Sequence, residues 1–133
     1  MSLFSLWMMA LSGLNMALAV TLGAFGAHAL RARADTLPLE RGLAVWETAV
    51  QYHLIHGLAL LAVGVALHFM DSSWLRWSGG LMLAGIVLFS GSLYLMTLTG
   101  WRMLGPVTPI GGLCFILAWL ALAMAALRAI SNH

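Results

Sequence analysis

Tyr52, His53 and His56 fall within five residues of one another, inside a stretch that carries no charge from Thr48 to Met70. Imidazole and phenol side chains can pass a proton, ligate a metal or hold a ligand by hydrogen bonds. At about 100° per helical residue the three project onto one arc of roughly 100°. Glu47 and Gln51 project onto a different face, so the group reads as an imidazole–hydroxyl layer rather than an acid–base pair. Other polar residues stand in comparable places. His28 closes an earlier uncharged stretch, Ser90, Ser92, Tyr94 and Thr97 come late in a third, and Thr108 with Gly111-Gly112 opens a fourth.

Three chemistries fit these residue types. The first is an interhelical hydrogen-bond network, in which His28 or Tyr94 meets the histidines of the second stretch. The second is a ligand or proton site, because ionisable groups inside a membrane are functional candidates. Its occupant could be a lipid headgroup, a quinone or a proton. The third is metal or haem ligation, with His53 and His56 at i and i+3 and His28 as a third nitrogen. No CxxCH attachment and no carboxylate-rich ligand set accompanies them, so neither metal nor cofactor is expected. GxSxG, HExxH, a phosphate-binding loop and paired intramembrane carboxylates are also absent, and no enzymatic activity is expected.

These residues must be positioned by four uncharged windows, 1–30, 48–70, 77–101 and 103–127. Only 8% of the 133 residues are charged and 62% are hydrophobic, with a mean hydropathy of +0.98. A soluble domain carries roughly 25% charge, and a hydrocarbon core of ~30 Å takes about 20 apolar helical residues. The chain therefore reads as one all-α domain, a bundle of four transmembrane helices over about 3–30, 45–69, 75–98 and 109–130. The first window lacks a basic leader and is about twice the usual apolar length of a signal peptide, so it is expected to remain as the first helix. A short interfacial helix is expected to begin near Leu37, after Asp35 or Thr36 as cap. Thr108-Pro109 reads as the cap and first residue of the fourth helix.

Because successive spans alternate direction, His28, the start of the second helix, the end of the third and the start of the fourth share one membrane face. Arg31, Arg33, Arg41 and Arg102 lie in the loops on that face, against Arg76 and Arg128 opposite. The bias puts loops 31–44 and 99–108 in the cytoplasm and both termini outside. Glu47 is placed to pair with Arg31, Arg41 or Arg102, and His68 is interfacial beside Asp71. Dispersed arginines do not make a nucleic-acid surface. The single Cys114 has no partner for an intrachain disulfide. Trp7, Trp46, Trp74, Trp77 and Trp101 suit an interfacial belt, while Trp119 is deeper and suits packing. His133 is assigned no role.

Small residues supply close packing where lipid gives no hydrophobic drive. Ser12, Asn15, Ala19, Gly23 and Gly26 form one stripe on the first helix. Gly13, Ala17, Thr21, Ala24 and His28 form another on the opposite side, so that helix is expected between two neighbours. Gly80, Ala84 and Gly91 form a third row, and Gly111-Gly112 a fourth contact.

Four segments taken in order, GAFGAH (23–28), WETAVQYHLIH (46–56), LFSGSLY (88–94) and VTPIGG (107–112), resemble the domain-of-unknown-function 423 family. These are small bacterial membrane proteins with a eukaryotic relative called transmembrane protein 256. The resemblance covers nearly the whole chain. His28, Tyr52, His56, Ser90, Gly91, Tyr94, Pro109, Gly111 and Gly112 match the family's pattern, whereas bacterial relatives carry Gln at the place of His53. The resemblance implies a four-helix protein of the bacterial inner membrane and implies no mechanism. The expected role is a small binding or accessory protein that meets a membrane lipid, a second copy of itself or another membrane protein. The alternative is a small oligomeric transporter or channel with His56 in its path.

Overall fold

A hydrocarbon solvent leaves backbone groups no partner but one another, so the apolar windows must be helical. The computed structural model describes residues 2–132; Met1 and His133 lie outside the described residues. Four helical spans, Leu3–Thr36, Gly42–Phe69, Ser73–Thr99 and Arg102–Ser131, are each long and apolar enough to cross a bilayer. The all-α four-span architecture is as the charge pattern predicts.

The spans are less regular than the windows suggest. The first comprises α1 (Leu3–Phe25), a π turn over Gly26–Leu30 and a 3-10 turn over Arg31–Thr36. The second is α2 (Gly42–Phe69). The third comprises α3 (Ser73–Gly85), a π turn over Ile86–Ser90 and α4 (Gly91–Thr99). The fourth is α5 (Val107–Ser131), entered by a 3-10 turn over Arg102–Leu104. Bonds from Arg31 N–H to the Gly26 carbonyl and from Gly91 N–H to the Ile86 carbonyl span five residues, which defines the two wide turns.

Two local expectations fail. No helix starts at Leu37: residues 37–41 bend, α2 begins at Gly42, and Asp35 and Thr36 lie inside the 3-10 turn. Pro38 is instead wedged against Gly100, where an added Cβ would come within 2.8 Å of its ring. Gly100 adopts φ 69°, the left-handed conformation that ends α4 and that glycine takes without cost. Thr108 does not cap α5, which begins one residue earlier behind Pro106.

α1 packs along α2, α2 along the third span, and the third span along α5. α1 and α5 therefore flank a central pair. The first small-residue stripe faces α2, with Ser12, Ala19 and Gly26 buried. The second stripe, Gly13, Ala17, Thr21, Ala24 and His28, is exposed along its length. The first helix is thus not held between two neighbours.

Hydroxyl groups tie the helices together by donating to backbone carbonyls across each seam. Ser5 donates to the Gly64 carbonyl at 2.7 Å and Ser12 to the Gly57 carbonyl at 2.8 Å. Seven residues up α1 thus match seven residues down α2, which fixes the antiparallel register. Ser78 donates to Ala118, and Ser90 to Ala49, each at 2.8 Å. Thr97 reaches Gly42 at 3.3 Å. Such bonds contribute about 0.6–2 kcal/mol each in a membrane.

Glycines opposite these carbonyls let the backbones approach. A Cβ on Gly64 would lie 2.9 Å from Met9 Cγ and 3.1 Å from the Met9 amide nitrogen, and one on Gly79 would lie 2.9 Å from Met8 Sδ. Gly80 does not pack: an added Cβ there meets nothing within 4 Å. Neighbouring helical residues point about 100° apart, and it is Gly79 that faces the core. Gly91 is also free of interhelical contact, its added Cβ meeting only the Ile86 carbonyl at 3.8 Å.

Candidate functional site

Both π turns lie beside the first half of α2. Gly26, in the first, is pressed on Trp46, whose indole N–H donates to the Leu22 carbonyl at 2.9 Å. Ser90, in the second, bonds to Ala49. The Trp46 ring also meets Phe25 and Tyr94, at centroid distances of 5.7 and 4.6 Å. Trp46 is therefore buried among helices rather than turned to lipid.

The two histidines of α2 serve different neighbours. His53 Nδ1 lies 3.0 Å from the Tyr94 hydroxyl, and its Nε2 lies 3.3 Å from Asn15 Oδ1. Asn15 Nδ2 donates to the Leu11 carbonyl at 2.8 Å, which orients its amide. The chain of donors is then fixed. His53 Nε2–H donates to Asn15, and His53 Nδ1 accepts from the Tyr94 hydroxyl. His56 has the opposite tautomer. Its Nδ1–H donates to the Tyr52 carbonyl at 2.7 Å, and its Nε2 accepts from the Trp119 indole N–H at 3.1 Å. A proton added to that Nε2 would face the indole N–H donor head-on.

The rings of Tyr52, His56 and Phe115 are near-parallel, with Tyr52 beside the other two. His56 lies 3.5 Å from Phe115 between ring centroids, at an interplanar angle of 11°. Tyr52 lies 5.9 Å from His56 at 16°. The Tyr52 ring also meets Phe89, in the second π turn, at 4.4 Å. Ser92 donates to the Phe89 carbonyl at 2.9 Å, so Thr108 is the donor in the 2.6 Å contact between the two hydroxyls.

The sequence-derived layer is therefore divided in two. His53 and Tyr94, with Asn15, border a groove of about 480 Å³ between the first and third spans, whose wall includes Gly91 and Ser92. Tyr52 and His56 border a groove of about 630 Å³ between α2 and α5, whose wall includes Gly112. The arc that carries the histidines is wide enough to address both sides of α2. His28 joins neither. It follows buried Gly26 by two residues, which turns it roughly 200° away from α2, and it is exposed. His28, His56, Tyr94 and Thr108 do not line a common pocket. The three histidines named as metal ligands are not brought together, and no cluster of three His, Cys, Asp or Glu suited to a metal occurs among the described residues.

Among the packing glycines, Gly23 meets Val50 Cγ1 at 3.2 Å, measured from an added Cβ, and Gly111 lies against the backbone of Leu88 and Phe89. Glu47 pairs with Arg31 at 3.3 Å on the exposed surface. His68 is exposed near the far end of α2, and Asp71 pairs with Arg76 at 2.7 Å.

A family model described as "Protein of unknown function (DUF423)" matches residues 22–112. The chain belongs to the DUF423 family. It is similar to a UPF0382 membrane protein of Staphylococcus aureus (strain bovine RF122 / ET3-1), 45% identical over 118 residues that cover 89% of this chain and 93% of the relative. UPF0382 membrane protein YwdK of Bacillus subtilis (strain 168) is 44% identical over 119 residues, 89% of this chain and 94% of the relative. A UPF0382 membrane protein of Staphylococcus epidermidis (strain ATCC 12228 / FDA PCI 1200) is 46% identical over 118 residues, 89% and 93%. No solved structure matches the chain. Like these relatives it is a membrane protein. The DUF423 match takes in the four motif segments and both π turns.

Asn15, of the small-residue stripe, and Trp119, deep in its span, do more than pack: they are the outer partners of the two histidines. The signal was present. Asn15 is an amide inside an apolar window, and Trp119 is an indole N–H far from either interface. Each needs a partner at that depth.

Replacing His56 with Phe keeps a ring on Phe115 and leaves the Trp119 N–H unpartnered. It is expected to cost about 1–2 kcal/mol of stability. Trp119→Phe made on top should then cost much less than Trp119→Phe alone. Unfolding of the four proteins in mixed micelles tests this. Additive costs would mean that the two rings do not share a bond.

Proposed function

We propose that this chain is a non-catalytic protein of the bacterial inner membrane that binds a membrane lipid in the groove between its first and third spans. The observation that carries this reading is that groove's composition. Leu18, Leu22, Ile86, Val87, Leu95 and Leu104 make an apolar trough of about 480 Å³, within the size range of ligand sites. The Asn15–His53–Tyr94 chain supplies the few convergent polar atoms. The non-catalytic reading is supported by the partners of His53, a phenol and an amide, with no carboxylate, thiol or serine hydroxyl on its ring nitrogens. Transport through His56 is disfavoured because both its ring nitrogens are engaged.

The proposed orientation keeps loops 31–44 and 99–108 in the cytoplasm and the termini outside, on the four-to-two arginine bias. A reporter fused after residue 132 should be active only when exported; a cytoplasmic signal there reverses the orientation. The lipid reading is tested with Gly91→Val. Its side chain would enter the trough, since an added Cβ meets only one carbonyl oxygen at 3.8 Å. Native mass spectrometry of protein released from nanodiscs should show a retained lipid that Gly91→Val loses, with unchanged thermal unfolding. An identical lipid count in both proteins would overturn the assignment.

A further inference from the structure

The second groove has a different character. Its wall carries four aromatic residues and an imidazole: Tyr52, His56, Phe89, Phe115 and Trp119. Three of these rings are nearly parallel: His56 and Phe115 lie face to face, and Tyr52 lies beside that pair, 5.9 Å from His56 and 6.1 Å from Phe115. The remaining wall is Ile55, Pro109, Gly112, Leu113 and Ile116.

Selective occupancy of such a groove cannot come from hydrophobicity, because bulk acyl chains are as apolar as its leucines. It must come from contacts that an acyl chain cannot make. Ring faces provide one, since they favour a flat conjugated partner in offset or tilted stacking. A free hydrogen-bond donor provides the other. The His56 and Trp119 nitrogens are already used. Tyr52 is 38% exposed, and only its backbone carbonyl is engaged by His56, its hydroxyl having no partner among the described residues. Centring α2 on a ~30 Å hydrocarbon core puts Tyr52 about 9 Å below the surface of that core. At that depth water does not satisfy a phenol.

We propose that the groove between α2 and α5 binds a lipid-soluble molecule whose head is a planar conjugated ring bearing a carbonyl oxygen, a quinone-type head group. The ring packs against the near-parallel faces of Tyr52, His56 and Phe115, and the Tyr52 hydroxyl donates to its carbonyl. The second π turn contributes Phe89, and Gly112 keeps the α5 wall low. This site is separate from the trough between the first and third spans, and neither assignment depends on the other.

Decylubiquinone titrated into the protein in phosphatidylcholine nanodiscs tests the site, read by quenching of tryptophan fluorescence at Trp119. Saturable quenching is expected, and Trp119→Phe should lack the saturable component. Tyr52→Phe should weaken the dissociation constant about tenfold, the worth of one hydrogen bond. Gly112→Leu should abolish saturation; an added Cβ there meets only the Phe89 ring, at 3.7 Å, so the side chain has room to enter the groove. Thermal unfolding of Gly112→Leu should match that of the wild type, which shows that the variant is folded. Competition by decylbenzene, which lacks the carbonyl, should be at least tenfold weaker. Linear quenching that is equal in wild type and Tyr52→Phe, or equal competition by decylbenzene, would overturn the proposal.

Discussion

Gly111→Ala is expected to destabilise the protein by about 2–3 kcal/mol, the upper part of the range for overpacking a close contact. The reason is what the new methyl meets. An added Cβ at Gly111 collides with the Phe89 amide nitrogen and lies 2.8 Å from Leu88 C and Phe89 Cα. These are backbone atoms of the π turn, and they cannot rotate aside as a side chain could. Relief requires moving α5 or rewinding the turn into a regular helix. Rewinding would re-aim Ser90 and Phe89 together, so the bond from Ser90 to Ala49 should weaken as well. Gly112→Ala is the paired control. Its Cβ would make ordinary contact with the Phe89 ring at 3.7 and 3.9 Å, so its change should stay within about 0.5 kcal/mol. Thermal or denaturing-detergent unfolding of the two variants should separate them clearly. Coincident curves would mean that the π turn does not bear on α5.

Trp46→Ala should cost still more, about 3–5 kcal/mol for truncating a buried tryptophan. Trp46 is 2% exposed and joins three spans, through Phe25, Tyr94 and the bond to Leu22. Gly26→Ala attacks the same contact from the other side, since its Cβ would lie 2.5 Å from Trp46 Cδ1. The two changes should not add. Once the indole is gone, the methyl at residue 26 has room, and Gly26→Ala should become nearly neutral in the Trp46→Ala background. A full additional loss in the double variant would sink the idea that Gly26 exists to admit the indole.

The positions of the spans were legible because charge is confined to their rims and hydrocarbon permits little else. The meeting of Tyr94 with an α2 histidine was also within reach, since alternation of direction puts those residues at one depth. The π turns were not legible. One extra residue in a turn leaves hydrophobic content unchanged, and only contact with Trp46 and Gly111 reveals its use. Nor could the facing of α1 be chosen from two similar small-residue stripes. What decides it is on another helix, where Gly57 and Gly64 expose carbonyls to Ser12 and Ser5 but not to Gly13 or Ala17. The same gap misplaced His28. Its direction depended on which stripe faced inward.

The carbonyl bonds along the seams also make the pairing instructions one-sided. Every residue has a backbone oxygen, so no substitution at the accepting positions on α2 can delete an acceptor. All the identity is held by the donors, Ser5, Ser12, Ser90 and Thr97. The accepting positions carry a steric limit, since an added Cβ at Gly42, Gly57 or Gly64 would come within 3.1 Å of a neighbour, while the hydroxyls choose the partner. Shifting the two α1 serines by one position would erase the address that tells α1 where to stop sliding.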